Sequence, residues 1–89
     1  MTFYSDDYRA TLGVALRARR QRSRADADRL AARLRDCMRQ IERTPAIGRP
    51  MRIQADFPGA LSFACGTWLI IYSVRGGDLY AHALEFVGF

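Results

Sequence analysis

The segment "RLAARLRDCMRQIERTPAIGRPMR", residues 29–52, joins an amphipathic pattern to a loop with two prolines and a glycine. Its apolar residues recur at spacings of three and four, which is the repeat of an α-helix. They are Leu30, Leu34, Cys37, Met38 and Ile41. Thr44 and Pro45 end the helix, because proline disfavours helical backbone in the residue before it. The segment therefore predicts a helix with one buried face, followed by a proline-glycine loop.

A second helical pattern precedes this one. Ser5 is a suitable N-cap, and two aspartates follow it where the helix dipole favours acids. The apolar residues Tyr8, Leu12, Ala15 and Leu16 repeat at helical spacing. Residues 20–23, "RQRS", are interpreted as the connection, and Ser23 with Asp26 forms a capping-box pattern that opens the next helix. Two amphipathic helices with a short connection predict an antiparallel hairpin with one apolar side.

The second half of the chain has the pattern of strands. Residues 44–59 contain all three prolines and are interpreted as a loop, with a short strand at Met51–Ala55. The runs "ALSFACG", "TWLIIYSVR" and "DLYAHALEF" are rich in strand-forming residues, and Gly76–Gly77 between the last two is a two-residue hairpin signal. The run "TFY", residues 2–4, is assigned as the first strand. The predicted fold is therefore α+β, with an N-terminal helical hairpin packed on a small antiparallel sheet.

The hairpin turn also predicts which residues pair. Arg75 should lie opposite Asp78, Val74 opposite Leu79, and Ile71 opposite His82. The face expected to meet the helices is wholly apolar and carries Trp68, Ile70, Tyr72, Val74, Leu79, Ala81 and Ala83. The other face is mixed, and we expect it to be at least partly available to a partner. It carries Leu69, Ile71, Ser73, Arg75, Asp78, Tyr80, His82 and Leu84.

Length and composition restrict the class of protein. The 89 residues suit one domain, 1–89, and the longest apolar run, Trp68–Tyr72, is too short to cross a membrane. Cys37 and Cys65 lack metal-binding spacing and are interpreted as two unpaired, buried small residues in a reducing compartment. The N-terminus does not have the pattern of a signal peptide. We therefore expect a cytoplasmic protein with no metal, no cofactor and no membrane partner.

The order of elements, together with the P-x-x-G-R-P loop and "GALSFACGTWLIIYSVRGGDLYAHALEF", resembles the RelE/ParE superfamily of bacterial toxins. The resemblance covers nearly the whole chain. It implies a toxin of a type II toxin–antitoxin system that forms a hetero-oligomer with a cognate antitoxin. It also implies one of two targets, since RelE-like members cut mRNA on the ribosome and ParE-like members inhibit DNA gyrase.

The resemblance, together with the mixed strand face, also indicates candidate site residues. Arg49, Arg52, Arg75 and Tyr80 are the expected target-binding residues. An endoribonuclease would instead use Arg49, Arg52, Arg75 and His82, because cleavage needs cations for the developing charge and groups that move protons. Ser62 stands near the position where RelE-like toxins have a strand arginine. Glu85 followed by Phe86 occupies the position where a histidine often occurs in those toxins. These departures favour the gyrase-binding branch. The third interpretation is a degenerate family member that only binds a partner or regulates its own operon.

Several features keep alternative interpretations: Arg49 either orients its loop by bonding backbone carbonyls or contacts a target, and Tyr80 stays open between a structural and a binding role. His82, the single histidine, is either an acid or base on the mixed face or a cross-strand neighbour. The basic excess lies in residues 1–43, and five arginines fall within residues 17–24. We interpret this cluster as a solvated outer face that attracts an acidic antitoxin, and contact with nucleic-acid phosphates is the second interpretation. The cluster consists of Arg17, Arg19, Arg20, Arg22 and Arg24.

Overall fold

The computed structural model describes residues 1–51 and 59–88 and has two helices packed on a five-stranded sheet. In chain order the elements are β1 (Thr2–Tyr4), α1 (Asp6–Arg22), α2 (Arg24–Arg43), a 3-10 turn (Pro45–Ile47), β2 (Arg49–Pro50), β3 (Leu61–Cys65), β4 (Trp68–Arg75) and β5 (Asp78–Phe86). The expected α+β fold is confirmed. Strands β2 to β5 are antiparallel, but β1 pairs parallel with β5, so the sheet is mixed.

The loop before β3 differs from expectation where it is described. The strand in this region is Arg49–Pro50, and Met51 lies outside it. The rest of the strand expected at Met51–Ala55 lies outside the described residues, as does Arg52.

The connection between the helices is shorter than the sequence pattern indicated. Helix α1 continues to Arg22, so the connection expected at residues 20–23 is Ser23 alone. The backbone N–H of Ser23 donates to the Arg19 carbonyl at 2.9 Å, and its hydroxyl accepts from the Asp26 N–H at 3.3 Å. One serine therefore ends α1 and caps α2, and the polar residues before it are free to remain helical.

Ser5 has the N-cap role that the sequence predicted, and it also ties α1 to the sheet. Its hydroxyl accepts from the Tyr8 N–H at 3.0 Å and donates to the His82 carbonyl at 2.6 Å. Its own N–H donates to the Ala81 carbonyl at 3.0 Å. The start of α1 is thus fixed against β5.

The core lies between the helices and one side of the sheet, which we call the packed face. Helix α2 contributes the apolar positions predicted for it, whereas α1 contributes one fully buried residue, Tyr8. The buried core residues are Tyr8, Leu30, Leu34, Met38, Ile41, Cys65, Trp68, Ile70, Tyr72, Leu79, Ala81 and Leu84. Neither described helix packs on the opposite side of the sheet, which is called the open face.

The interpretation of the cysteines as unpaired residues is wrong. Cys37 of α2 and Cys65 of β3 form a disulfide, with their Cα atoms 6.1 Å apart. The helix packs across the end of β3, so two residues 28 positions apart in sequence meet on the packed face. Because this meeting depends on tertiary packing, cysteine spacing could not reveal it.

The predicted hairpin register is correct only near the turn. Arg75 pairs with Asp78 and Val74 with Leu79, as expected, but the register then shifts. Ile71 lies opposite Ala83, so the predicted pairing of Ile71 with His82 is wrong. A β-bulge adds one residue to β5 at this point, which reverses the side on which later residues lie. Beyond the bulge, Leu84 therefore joins the core in place of Ala83.

Candidate functional site

The open face brings together most of the site residues that were expected from the sequence. Strand pairing aligns Arg49 of β2 with Ser62 of β3, and Ser62 with Ile71 of β4. Neighbouring residues of β3 pack into the core, so this row of side chains must lie on the other side. The described residues of the open face include Phe3, Arg49, Ser62, Ile71, Ser73, Arg75, Tyr80, His82 and Ala83.

Arg49 owes its position to a buried tyrosine. The Tyr72 side chain is fully buried, and its hydroxyl donates to the Pro45 carbonyl at 2.6 Å. The same oxygen accepts from the Gly48 N–H at 2.9 Å. A Cβ atom at Gly48 would lie 2.5 Å from this oxygen, so glycine is needed for the close approach. Tyr72 therefore fixes the loop that leads directly into exposed Arg49.

Sequence reasoning missed the role of Tyr72, although a signal was present. A tyrosine within the apolar run "WLIIY" must satisfy its hydroxyl, because a buried polar group without a partner is costly. Burial raises the pKa of Tyr72 above its usual value, and the hydrogen bond from Gly48 partly opposes this. The hydroxyl thus stays protonated and able to donate to Pro45.

His82 lies at the bulge and contacts Ser73. Its Nε2 and the Ser73 Oγ are 2.7 Å apart, and Ser73 is buried. Burial lowers the pKa of His82, and the positive charge of Arg75 lowers it further. The imidazole is therefore neutral at pH 7, and the bulge rather than the predicted pairing with Ile71 gives it its neighbours. Both interpretations of His82 place it on this face.

Arg75 and Tyr80 lie towards the hairpin end of the open face. Arg75 is exposed and makes no ion pair within residues 1–51 and 59–88. Tyr80 stacks on Phe3 with ring centroids 5.2 Å apart, and Phe3 is 43% exposed. The centre of the face is more covered than the sequence indicated, since Ile71 is only 4% exposed. The accessible groups are therefore cations and aromatic rings around a covered centre.

The arginine cluster lies away from the open face, on the helical hairpin. Arg17, Arg20, Arg22 and Arg24 are exposed, as the solvated-face interpretation requires, whereas Arg19 is half-buried.

Neither a metal nor a membrane span is indicated by the described parts of the chain. They contain no group of three His, Cys, Asp or Glu side chains suited to a metal ion, and no helix long and apolar enough to span a bilayer.

The described residues form a helical hairpin on a small sheet, with cations and aromatic rings on the open face. The family model of the ParE toxin of type II toxin–antitoxin systems, parDE, matches residues 12–84. The chain therefore belongs to the ParE family of toxins, which implies an antitoxin partner. No curated protein matches the sequence significantly.

Proposed function

We propose that this toxin inhibits DNA gyrase by binding to it and that a cognate antitoxin neutralises it in the cytoplasm. The family match carries the proposal, because it favours the ParE branch over the RelE branch. The open face agrees with a binding role. Its exposed groups are arginine and aromatic side chains, which are enriched where proteins bind each other tightly.

Arg49, Arg75 and Tyr80 are the proposed contacts with the target. Arg49 stands on a loop fixed by Tyr72, so binding would cost little conformational entropy there. Arg75 and Tyr80 stand further along the sheet on the same side. Arg52 remains a proposed contact that follows from the family resemblance alone.

A supercoiling assay with purified gyrase tests the target. We expect the chain to inhibit supercoiling, and Arg49→Ala and Tyr80→Ala to weaken inhibition. Arg39→Ala is the matched control, since Arg39 is exposed on α2 and its one ion pair among the described residues is with Asp36. Inhibition that is equally strong in all variants would remove the open face from the mechanism. Absence of inhibition by folded wild-type protein would remove gyrase as the target.

The endoribonuclease remains a second candidate because His82, Arg49 and Arg75 share the open face. A neutral His82 could accept a proton from a 2′-hydroxyl, although its Nε2 is already engaged by Ser73. Incubation with translating ribosomes distinguishes the two candidates. Cleavage of mRNA in the ribosomal A site, lost in His82→Ala and Arg49→Ala, would establish the nuclease and reject the gyrase proposal.

For the antitoxin, an apolar groove between β1, α1 and α2 is the proposed contact surface. The groove has a volume of about 340 Å³. Burial raises the pKa of Tyr8, one of its lining residues, to about 12, so the groove is uncharged at its floor. Its lining residues are Tyr4, Tyr8, Arg9, Leu12, Ala31, Leu34, Arg35 and Met38. The arginines beside the apolar surface suit an amphipathic segment that also carries acids.

Growth assays test this part of the proposal. Expression of the chain alone should arrest bacterial growth, and co-expression of the antitoxin should restore it. Leu12→Asp should weaken antitoxin binding, because it puts a charge into the groove. Val14→Asp, on the exposed side of the same helix, should not. Harmless expression of folded wild-type protein would favour the degenerate, non-toxic interpretation instead.

A further inference from the structure

A second cavity, which we call the arginine pocket, lies between the turn of the helical hairpin and the turn that joins β3 to β4. Its volume is about 210 Å³, many times the space that a single water molecule needs. The cavity is lined by Arg19, Asp26, Arg29, Leu30, Arg33, Thr67 and Trp68. Three separate parts of the chain thus bring guanidinium groups, a hydroxyl and an indole ring to one place.

The charge of this arginine pocket is not balanced from within. Asp26 is its one carboxylate, and it pairs with Arg29 at 3.2 Å. Arg19 and Arg33 make no ion pair with any residue in the described ranges. The pocket therefore holds two uncompensated guanidinium groups, and Arg19 is half-buried, where an unpaired charge is less well hydrated.

Arg33 lies close to a glycine. Its guanidinium lies over Gly66 in the β3–β4 turn, so closely that a Cβ atom there would collide with it. Gly66 also has a φ of +63°, which other residues rarely adopt. Helix α2 supplies Arg29 and Arg33 from successive turns, and the last turns of α1 supply Arg19. Arg33 therefore lies against the backbone of this turn on one side, and its side chain is exposed to solvent on the other.

Uncharged groups complete the lining of the cavity. Thr67 contributes a hydroxyl, and Trp68 contributes its indole ring. The residues around the cavity thus combine excess positive charge with a neutral hydroxyl donor.

We propose that this arginine pocket binds a phosphate group, either in a nucleic-acid backbone or as free phosphate. Guanidinium groups present several N–H donors in a planar fork that fits phosphate oxygens, and phosphate can accept from more than one fork at once. The wider cluster extends this charge, since Arg22 and Arg24 flank the same helix turn. An extended row of cations suits a polyanion more than an isolated ion.

The pocket is separate from the proposed gyrase-contacting surface. Trp68 begins β4 and Thr67 directly precedes it. Arg75 lies at the other end of this eight-residue strand, on the open face. Phosphate binding therefore neither requires nor excludes the proposed function. Under this proposal Arg19 of the arginine cluster belongs to a structured binding site. The cluster would then do more than attract an acidic antitoxin at long range.

Binding of a short, fluorescently labelled DNA duplex to the purified chain tests the proposal by anisotropy across salt concentrations. Arg19→Gln/Arg33→Gln should lower affinity at least about tenfold and reduce the slope of log K against log salt by about 2, roughly one per lost phosphate contact. The matched control is Arg39→Gln/Arg43→Gln. It removes the same charge from exposed arginines at the other end of the hairpin, and it should change both quantities much less.

A charge-conserving variant separates a built site from simple charge. Arg19→Lys/Arg33→Lys keeps both charges and removes the forks, so we expect a several-fold loss of affinity with the salt slope retained. Thermal unfolding of each variant verifies that it is folded. Equal effects in the pocket and control pairs, or wild-type affinity in the lysine variant, would overturn the proposal.

Inorganic phosphate and polyglutamate complete the experiment. If phosphate alone raises the unfolding temperature of wild type but not of the glutamine variant, free phosphate is a ligand of the pocket. If the duplex responds to the variants and inorganic phosphate has no effect, the ligand is the nucleic-acid backbone. Competition by polyglutamate as effective as by DNA would show that the pocket selects negative charge alone, and the phosphate proposal would be wrong.

Discussion

Ile70 and Ile71 are adjacent in β4 and almost equally buried, yet they belong to different surfaces. Ile70, at 0% exposure, is part of the core beneath the helices. Ile71, at 4%, lies between Ser62 and Ala83 on the open face and outside that core. The packed face joins the sheet to the helices, whereas the open face holds the arginines, the histidine and the stacked aromatic pair. Side chains of one strand thus divide between holding the fold and presenting the candidate site.

The largest expected effect comes from the packed face. Ile70→Ala should lower the free energy of unfolding by about 2–5 kcal/mol, because it removes buried apolar volume that the core cannot refill. Leu69→Ala, on the half-buried open side of the same strand, should cost clearly less. Urea unfolding of both variants measures the difference. Equal losses would show that the two faces contribute alike to stability.

The disulfide on the packed face comes next. Its loop spans the whole connection from α2 to β3, and the chain-entropy relation for a 28-residue separation gives about 3–4 kcal/mol. The free energy of unfolding of the wild type should be lower by about this amount under reducing conditions than under oxidising conditions. Cys37→Ser/Cys65→Ser should not respond to the reductant. A reductant effect of the same size in the double variant would contradict the assignment.

Tyr72→Phe should have an intermediate effect, since it joins the two faces. Losing the hydroxyl leaves the Pro45 carbonyl and the Gly48 N–H without their partner and should cost about 1–2 kcal/mol. Amide exchange should accelerate at Gly48. Tyr80→Phe is the control, because no hydrogen bond of the Tyr80 hydroxyl is found in the described residues, and it should change stability little. Unaltered exchange at Gly48 in Tyr72→Phe would contradict the anchoring role.

The smallest effect belongs to His82 on the open face. Its pKa is lowered in the folded protein, so the unfolded chain binds the proton more readily. The contribution of His82 to the free energy of unfolding is therefore complete above its pKa in the unfolded chain, near 6.5. It is lost as the pH falls through the lower pKa of His82 in the folded protein. His82→Gln should remove this part of the pH dependence. Identical slopes of unfolding free energy against pH below about 6.5 in both proteins would show that the shift is absent.

Much of the fold could be predicted because the signals are local. Ser5 and Ser23 cap their helices, Gly76–Gly77 closes the hairpin, and Pro45 ends α2, each through chemistry within a few residues. Part of the candidate site was expected from the family resemblance and from the mixed strand face. Arg49 was expected from the first and Tyr80 from the second, and the register places both on one side of the sheet.

By itself, then, the sequence determined the order of the two helices and of strands β1, β3, β4 and β5, the apolar side of α2 and the family. Only the tertiary structure decided the bulge at His82, the bond between Cys37 and Cys65, and the convergence of Arg19 with Arg33. Periodicity and capping arise from neighbours in the chain, so they can be read along it. A bulge, a disulfide or a pocket depends on which distant side chains face each other, and that is set when helices and sheet pack together.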